Sequence, residues 1–91
     1  MDSVIDTSRR CFVCGKLSDL HEHHIFPGYG RRKSSEKRGF KVYLCHAHHG
    51  EVHKHINSGM SLYMKRMCQK YFEEHYGTRE DFIKEFGRSV L

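Results

Sequence analysis

Hydrophobic and polar positions change their spacing along the chain, and each change predicts an element. Residues 1–8 are largely polar and predict a flexible N-terminus. Residues 9–26 hold Cys11-Phe12-Val13-Cys14 and then a His-rich stretch. Pro27-Gly28 and Gly30 open a basic loop that is expected to run to Gly39. Lys41-Val42-Tyr43-Leu44 has the β-branched and aromatic content of a short strand. A short helix is expected from Ala47 to about His55, ended by Asn57-Ser58-Gly59. A second helix should run from about Ser61, a suitable N-cap, to His75. Along it Met60, Met64, Met67 and Tyr71 recur every three or four residues, with Cys68 and Phe72 beside them, forming one apolar face. That stripe reads as core, with Cys68 a buried thiol. Gly77 is placed at C′. Thr78-Arg79-Glu80-Asp81 resembles a capping box with Asp in place of Glu, starting a third helix that carries Phe82, Ile83 and Phe86.

A chain of 91 residues is one domain. We divide it into a flexible 1–8 and a domain over 9–91, with a core at 9–56 and a helical tail at 60–91. Only 37% of the residues are hydrophobic and Trp is absent. A domain of this size buries about 60% of its unfolded surface, so a staple of disulfides or metal is expected. No apolar run approaches the ~20 residues of a membrane span. Met1-Asp2-Ser3-Val4-Ile5-Asp6 has neither a basic nor an apolar region of a secretory signal, so a reducing cytoplasm is expected. Cysteines there read as metal-binding or buried rather than as a disulfide framework. The net charge is +5, and the segment from Tyr29 to Lys41 carries all of it: Arg31, Arg32, Lys33, Lys37, Arg38 and Lys41 against Glu36 alone. Such a segment suits a polyanion, although a solvated loop explains the charge equally well.

Nine His and four Cys supply the candidate chemistry. Cys11-x-x-Cys14-Gly15 is a tight turn that presents two thiolates, with Gly15 free to take a positive φ. A tetrahedral zinc needs two more ligands. Cys45 and His48 are the best second pair, although His46 or His49 could replace His48. The alternative is a redox pair or plain thiols. His49 and His53 stand at i and i+4 on one helix face, and His23 is the natural third ligand of a second metal with open positions. His24 would then be left to take a proton from water near neutral pH. Because strand residues alternate faces, His23 and His24 reach one site only if the strand ends or bulges there. The alternative is an adventitious surface His cluster. Glu22 and Glu51 flank the cluster and could orient a ligand imidazole. His21, His46, His55 and His75 have no assignment.

Cys11-x-x-Cys14, Glu22-His23-His24-Ile25-Phe26-Pro27, Leu44-Cys45-His46-Ala47-His48-His49 and Val52-His53 together resemble the HNH endonuclease family. The likeness is to its small members encoded by phages and prophages, and it covers roughly residues 9–55. It implies an α+β fold: a zinc-stapled ββα-metal core, like a treble clef, followed by C-terminal helices. It implies His24 as general base, and His23, His49 and His53 as ligands of a catalytic Mg²⁺ or Mn²⁺, replaceable by Zn²⁺. Cys11, Cys14, Cys45 and His48 would hold structural Zn²⁺, with His48 where the family usually has Cys. The expected activity is hydrolysis of DNA in the cytoplasm of a bacterial host, with 5′-phosphate and 3′-hydroxyl products. Arg31, Arg32, Lys33, Lys37 and Arg38 would grip the backbone without reading sequence. So short a chain implies low specificity or recruitment by a partner protein. The alternative is a non-catalytic nucleic-acid-binding zinc module. The sequence departs from the family at its middle Asn, where it has Gly39-Phe40-Lys41.

Overall fold

The computed structural model describes residues 3–28, 30–56 and 59–91. They form a small α+β domain in the order β1 (Leu20–His24), α1 (Arg31–Arg38), β2 (Lys41–Cys45), α2 (His46–Lys54), α3 (Gly59–His75) and α4 (Arg79–Phe86). The two strands pair antiparallel with Leu20 opposite Cys45 and His24 opposite Lys41. β2 is buried at Lys41, Val42, Leu44 and Cys45, so its sequence reads as a near-continuous apolar run rather than an alternation. The core joins Val42 and Leu44 to Ile25, Phe26, Phe40, Val52, Met64, Cys68, Phe72, Phe82 and Phe86. Aromatic rings knit it together, with Phe26 and Phe86 at 4.5 Å and Phe82 and Phe86 at 4.9 Å between centroids.

The segment expected to be a basic loop contains a helix. α1 (Arg-Arg-Lys-Ser-Ser-Glu-Lys-Arg) has no apolar residue to set a period, so pattern reading passes over it. It docks through polar groups instead. The buried Ser35 hydroxyl accepts from Phe26 N–H at 3.0 Å and donates to Phe26 C=O at 3.2 Å. Gly39 ends the helix in the left-handed region, at φ 73°. Arg38 forms a two-pronged pair with Glu85 of α4 at 2.9 Å and 2.9 Å, and its guanidinium lies 4.5 Å from the Tyr76 ring centre. Arg31 Nε donates to Phe86 C=O at 2.6 Å. Because both side chains of the Arg38–Glu85 pair are nearly four-fifths covered, Glu85→Ala should cost about 1–3 kcal/mol in urea unfolding. A cost below about 0.5 kcal/mol, the level of an exposed pair, would contradict that clamp.

Other expectations are adjusted locally. The N-terminal lead is tied down at Ser3, which is buried and donates its hydroxyl to Lys41 C=O, while Val4 N–H reaches Gly39 C=O at 3.0 Å. The short helix starts one residue early, at His46, and its expected terminators Asn57 and Ser58 lie outside the described residues. α3 starts at Gly59, so Ser61 is inside it and donates to Ile56 C=O at 2.6 Å. The α3 stripe centres on Met64, Cys68 and Phe72, leaving Met60 exposed. Thr78 caps α4 as expected, with Asp81 closing the capping box. Gly77 does not take a positive φ. A Cβ there would lie 2.5 Å from Asp81 Oδ2, so a larger residue would have to displace the Asp81 side chain from the capping box.

Candidate metal centres

The first centre is built by a turn and a strand end. Gly15 N–H bonds Cys11 C=O at 2.9 Å, and Cys11 N–H bonds Lys16 C=O at 2.8 Å, which closes the Cys-x-x-Cys turn. Gly15 takes φ 78°, as its place after the second sulfur requires. Cys45 ends β2 and is the N-cap of α2, and His48 sits in the first turn of that helix. Cys14 Sγ and Cys45 Sγ are 3.9 Å apart, Cys11 Sγ and His48 Nδ1 3.7 Å, and Cys45 Sγ and His48 Nδ1 3.2 Å. Ligands of one tetrahedral zinc stand roughly 3.3–3.8 Å apart, so the four donors fit such an ion. Burial works to raise the Cys11 thiol, but the N–H groups of Cys45, Cys14 and Val13 outweigh it and bring it down to about 6. That favours the thiolate a metal requires. Cys68 lies apart on α3, where burial pushes its thiol well up. The expected fourth ligand is therefore at hand in His48, while His46 stands edge-on to His21 at 5.4 Å.

The second cluster gathers His23, His49 and His53, each with a ring nitrogen within 4.8 Å of the others. His49 Nε2 and His53 Nε2 are 3.1 Å apart. His23 is 1% exposed, and its Nε2 has no hydrogen-bond partner. A buried polar atom left unpaired is costly, and here it faces two further imidazoles. These donors fit a divalent ion of the kind imidazole prefers. His49 Nδ1 lies 2.9 Å from His21 Nδ1, so His21 braces the His49 ring from outside the cluster. Glu51, one candidate for that task, instead pairs with His55 at 3.4 Å.

Burial, then the neighbouring His49 and His53, lowers His23 to about 3. The unfolded chain protonates it near the ordinary value of about 6.5, so the unfolded state binds this proton first as pH falls. Stability is therefore drawn down from about pH 6.5 toward 3. His23→Gln should flatten the fall in urea midpoint between neutral pH and about pH 5 relative to the parent; an equal slope would contradict it.

His24 joins this region from the other face of β1. Of the two expected alternatives the strand takes the first: it runs regularly and ends at His24, without a bulge, so His21 and His23 point one way, Glu22 and His24 the other. Both faces nonetheless border one shallow cavity of about 250 Å³, lined by Glu22, His23, His24, Pro27, Arg32, His49 and His53. His24 Nε2 is 2.7 Å from Glu36 Oε2, and Arg32 Nε lies 3.4 Å from His24 Nδ1. Lys41, 5% exposed, pairs with Glu36 at 2.7 Å and Glu22 at 3.3 Å.

The five basic residues divide. Arg31 and Arg38 reach α4, at Phe86 C=O and Glu85 respectively. Arg32, Lys33 and Lys37 line a broad groove of about 780 Å³ that His24 and Glu36 share. Sequence reading missed Glu36, whose approach to His24 depends on a helix without apolar residues. It also missed the pairing of His21 with His49, which strand alternation could have suggested.

Comparison with family models, with curated proteins and with solved structures returns no significant match. Among the described residues no helix is long and apolar enough to cross a membrane.

Proposed function

We propose that the chain is a metal-dependent DNA endonuclease of the HNH type, with β1, β2 and α2 acting as a ββα-metal core. The observation that carries this reading is the buried, unpartnered His23 Nε2 turned to His49 and His53, on a cavity that His24 also borders. His23, His49 and His53 would hold a Mg²⁺ or Mn²⁺ ion, which when bound supplies Lewis-acid stabilisation of charge on the phosphate. His24 takes a proton from the water that attacks phosphorus. Arg32, Lys33 and Lys37 hold the DNA backbone along the groove without reading bases. Cys11, Cys14, Cys45 and His48 would hold a zinc ion with four protein ligands, a set that serves the fold and not the reaction. The bacterial host and the phage origin in this reading come from the resemblance.

Metal stoichiometry separates this from a DNA-binding zinc module. Titrating Mn²⁺ into the zinc-loaded chain should give one further, weaker binding event, and His49→Ala should remove it while the tight zinc stays. A parent that binds no Mn²⁺ would favour the module.

A further inference from the structure

His24 closes β1 and Lys41 opens β2 directly opposite it. The connection between them folds α1 back so that Glu36 stands over this pair. Its placement follows from the docking of the helix: the neighbouring Ser35 is locked to both backbone groups of Phe26, two residues beyond His24. Glu36 Oε1 accepts from Lys41 Nζ at 2.7 Å, and Oε2 lies 2.7 Å from His24 Nε2. Lys41 is itself held by Glu22. The Lys41 ammonium first, and then His24, keep the Glu36 carboxyl below its usual range. A carboxylate held this way has no proton to give. The proton in the short contact is therefore the imidazole's, and Nε2–H donates. That leaves Nδ1 as the nitrogen with a lone pair, which accepts a long 3.4 Å bond from Arg32 Nε–H on the side where the cavity lies.

We propose that Glu36 is a positioning residue for His24: anchored by Lys41, it fixes the ring and its tautomer so that Nδ1 receives the proton from water. The inference rests on the nuclease reading for its consequence in rate, but the state of the ring is observable without any activity.

The test is carried out on the zinc-loaded chain. In ¹H–¹⁵N spectra of the ring nitrogens, the parent should show a slowly exchanging His24 Nε2–H, identified by its absence in His24→Ala. Glu36→Gln keeps an acceptor and should retain the signal, whereas Glu36→Ala should lose it. Zinc content and helix signal, measured alongside, show that the variants fold. In cleavage, Glu36→Ala should lower kcat by about 10–100-fold with little change in KM, and Glu36→Gln should recover most of it. Adding Glu36→Ala to His24→Ala should cost nothing further, because the base it positions is gone. A signal that persists in folded Glu36→Ala, or a proton found on Nδ1, would overturn the proposal. So would a full Glu36→Ala cost on the His24→Ala background. If the parent shows the Nε2–H signal but does not cleave, the nuclease reading fails and the positioning of the ring stands.

Discussion

Cys11→Ser should leave a chain that does not fold. Cys11 is 1% exposed and stands where the turn, β2 and α2 meet. Serine there would put a poor zinc ligand in place of a thiolate held by three N–H groups. Structural zinc contributes about 10–16 kcal/mol of apparent binding free energy in small zinc-finger peptides. Whole domains are stable by only about 5–15 kcal/mol, so a thin core has no reserve to cover the loss. The far-ultraviolet helix signal and the dispersion of amide resonances should collapse even with zinc in excess. Cys68→Ala makes the control. It removes a buried thiol from α3, outside the quartet, and should lower stability while zinc content stays at that of the parent. A folded, zinc-free Cys11→Ser variant would contradict the role assigned to the first centre.

His24→Ala should behave in the opposite way, folding well and cleaving poorly. The ring lies at the end of β1, outside the apolar core, and its contacts are with polar side chains. Its removal should leave zinc content and the urea midpoint near parental values. The rate should fall by about 10²–10⁴-fold, the contribution of a general base. Because His23, His49 and His53 are untouched, the binding of Mn²⁺ should persist. A variant that loses metal and activity together would mean that His24 supports the cluster instead of the water.

Much of this could be read from spacing. β2, α3 and α4 announce themselves by β-branched content, by the apolar repeat of Met60, Met64, Met67 and Tyr71 with Cys68 and Phe72 beside it, and by the Thr78–Asp81 capping box. Parts of the two ligand groups also follow from local geometry: Cys-x-x-Cys, Cys-x-x-His and His-x-x-x-His each bring two donors together within one turn, while His23 joins its group only through strand pairing. What spacing could not give was α1. A helix of charged residues and serines has no hydrophobic period, and it is held by Ser35 on Phe26 and by Arg31 and Arg38 on α4. Everything that depends on α1 was hidden with it. That includes Glu36 on His24, the Lys41–Glu36 ion pair, and the turning of Arg31 and Arg38 toward α4. The anchoring of Ser3 was hidden for a related reason, since one hydroxyl on a strand carbonyl leaves no pattern in a polar lead.

The central claim is that the two centres differ in kind, one closed and structural, the other open and catalytic. The conversion of supercoiled plasmid by the zinc-loaded chain tests it most directly, with Mg²⁺ or Mn²⁺ added and with His24→Ala run beside the parent. The account predicts that the parent nicks DNA only when the divalent ion is present and that folded His24→Ala is slower by about 10²-fold or more. A folded, zinc-loaded parent that leaves the plasmid intact with either ion, or a His24→Ala variant that nicks as fast as the parent, would contradict it.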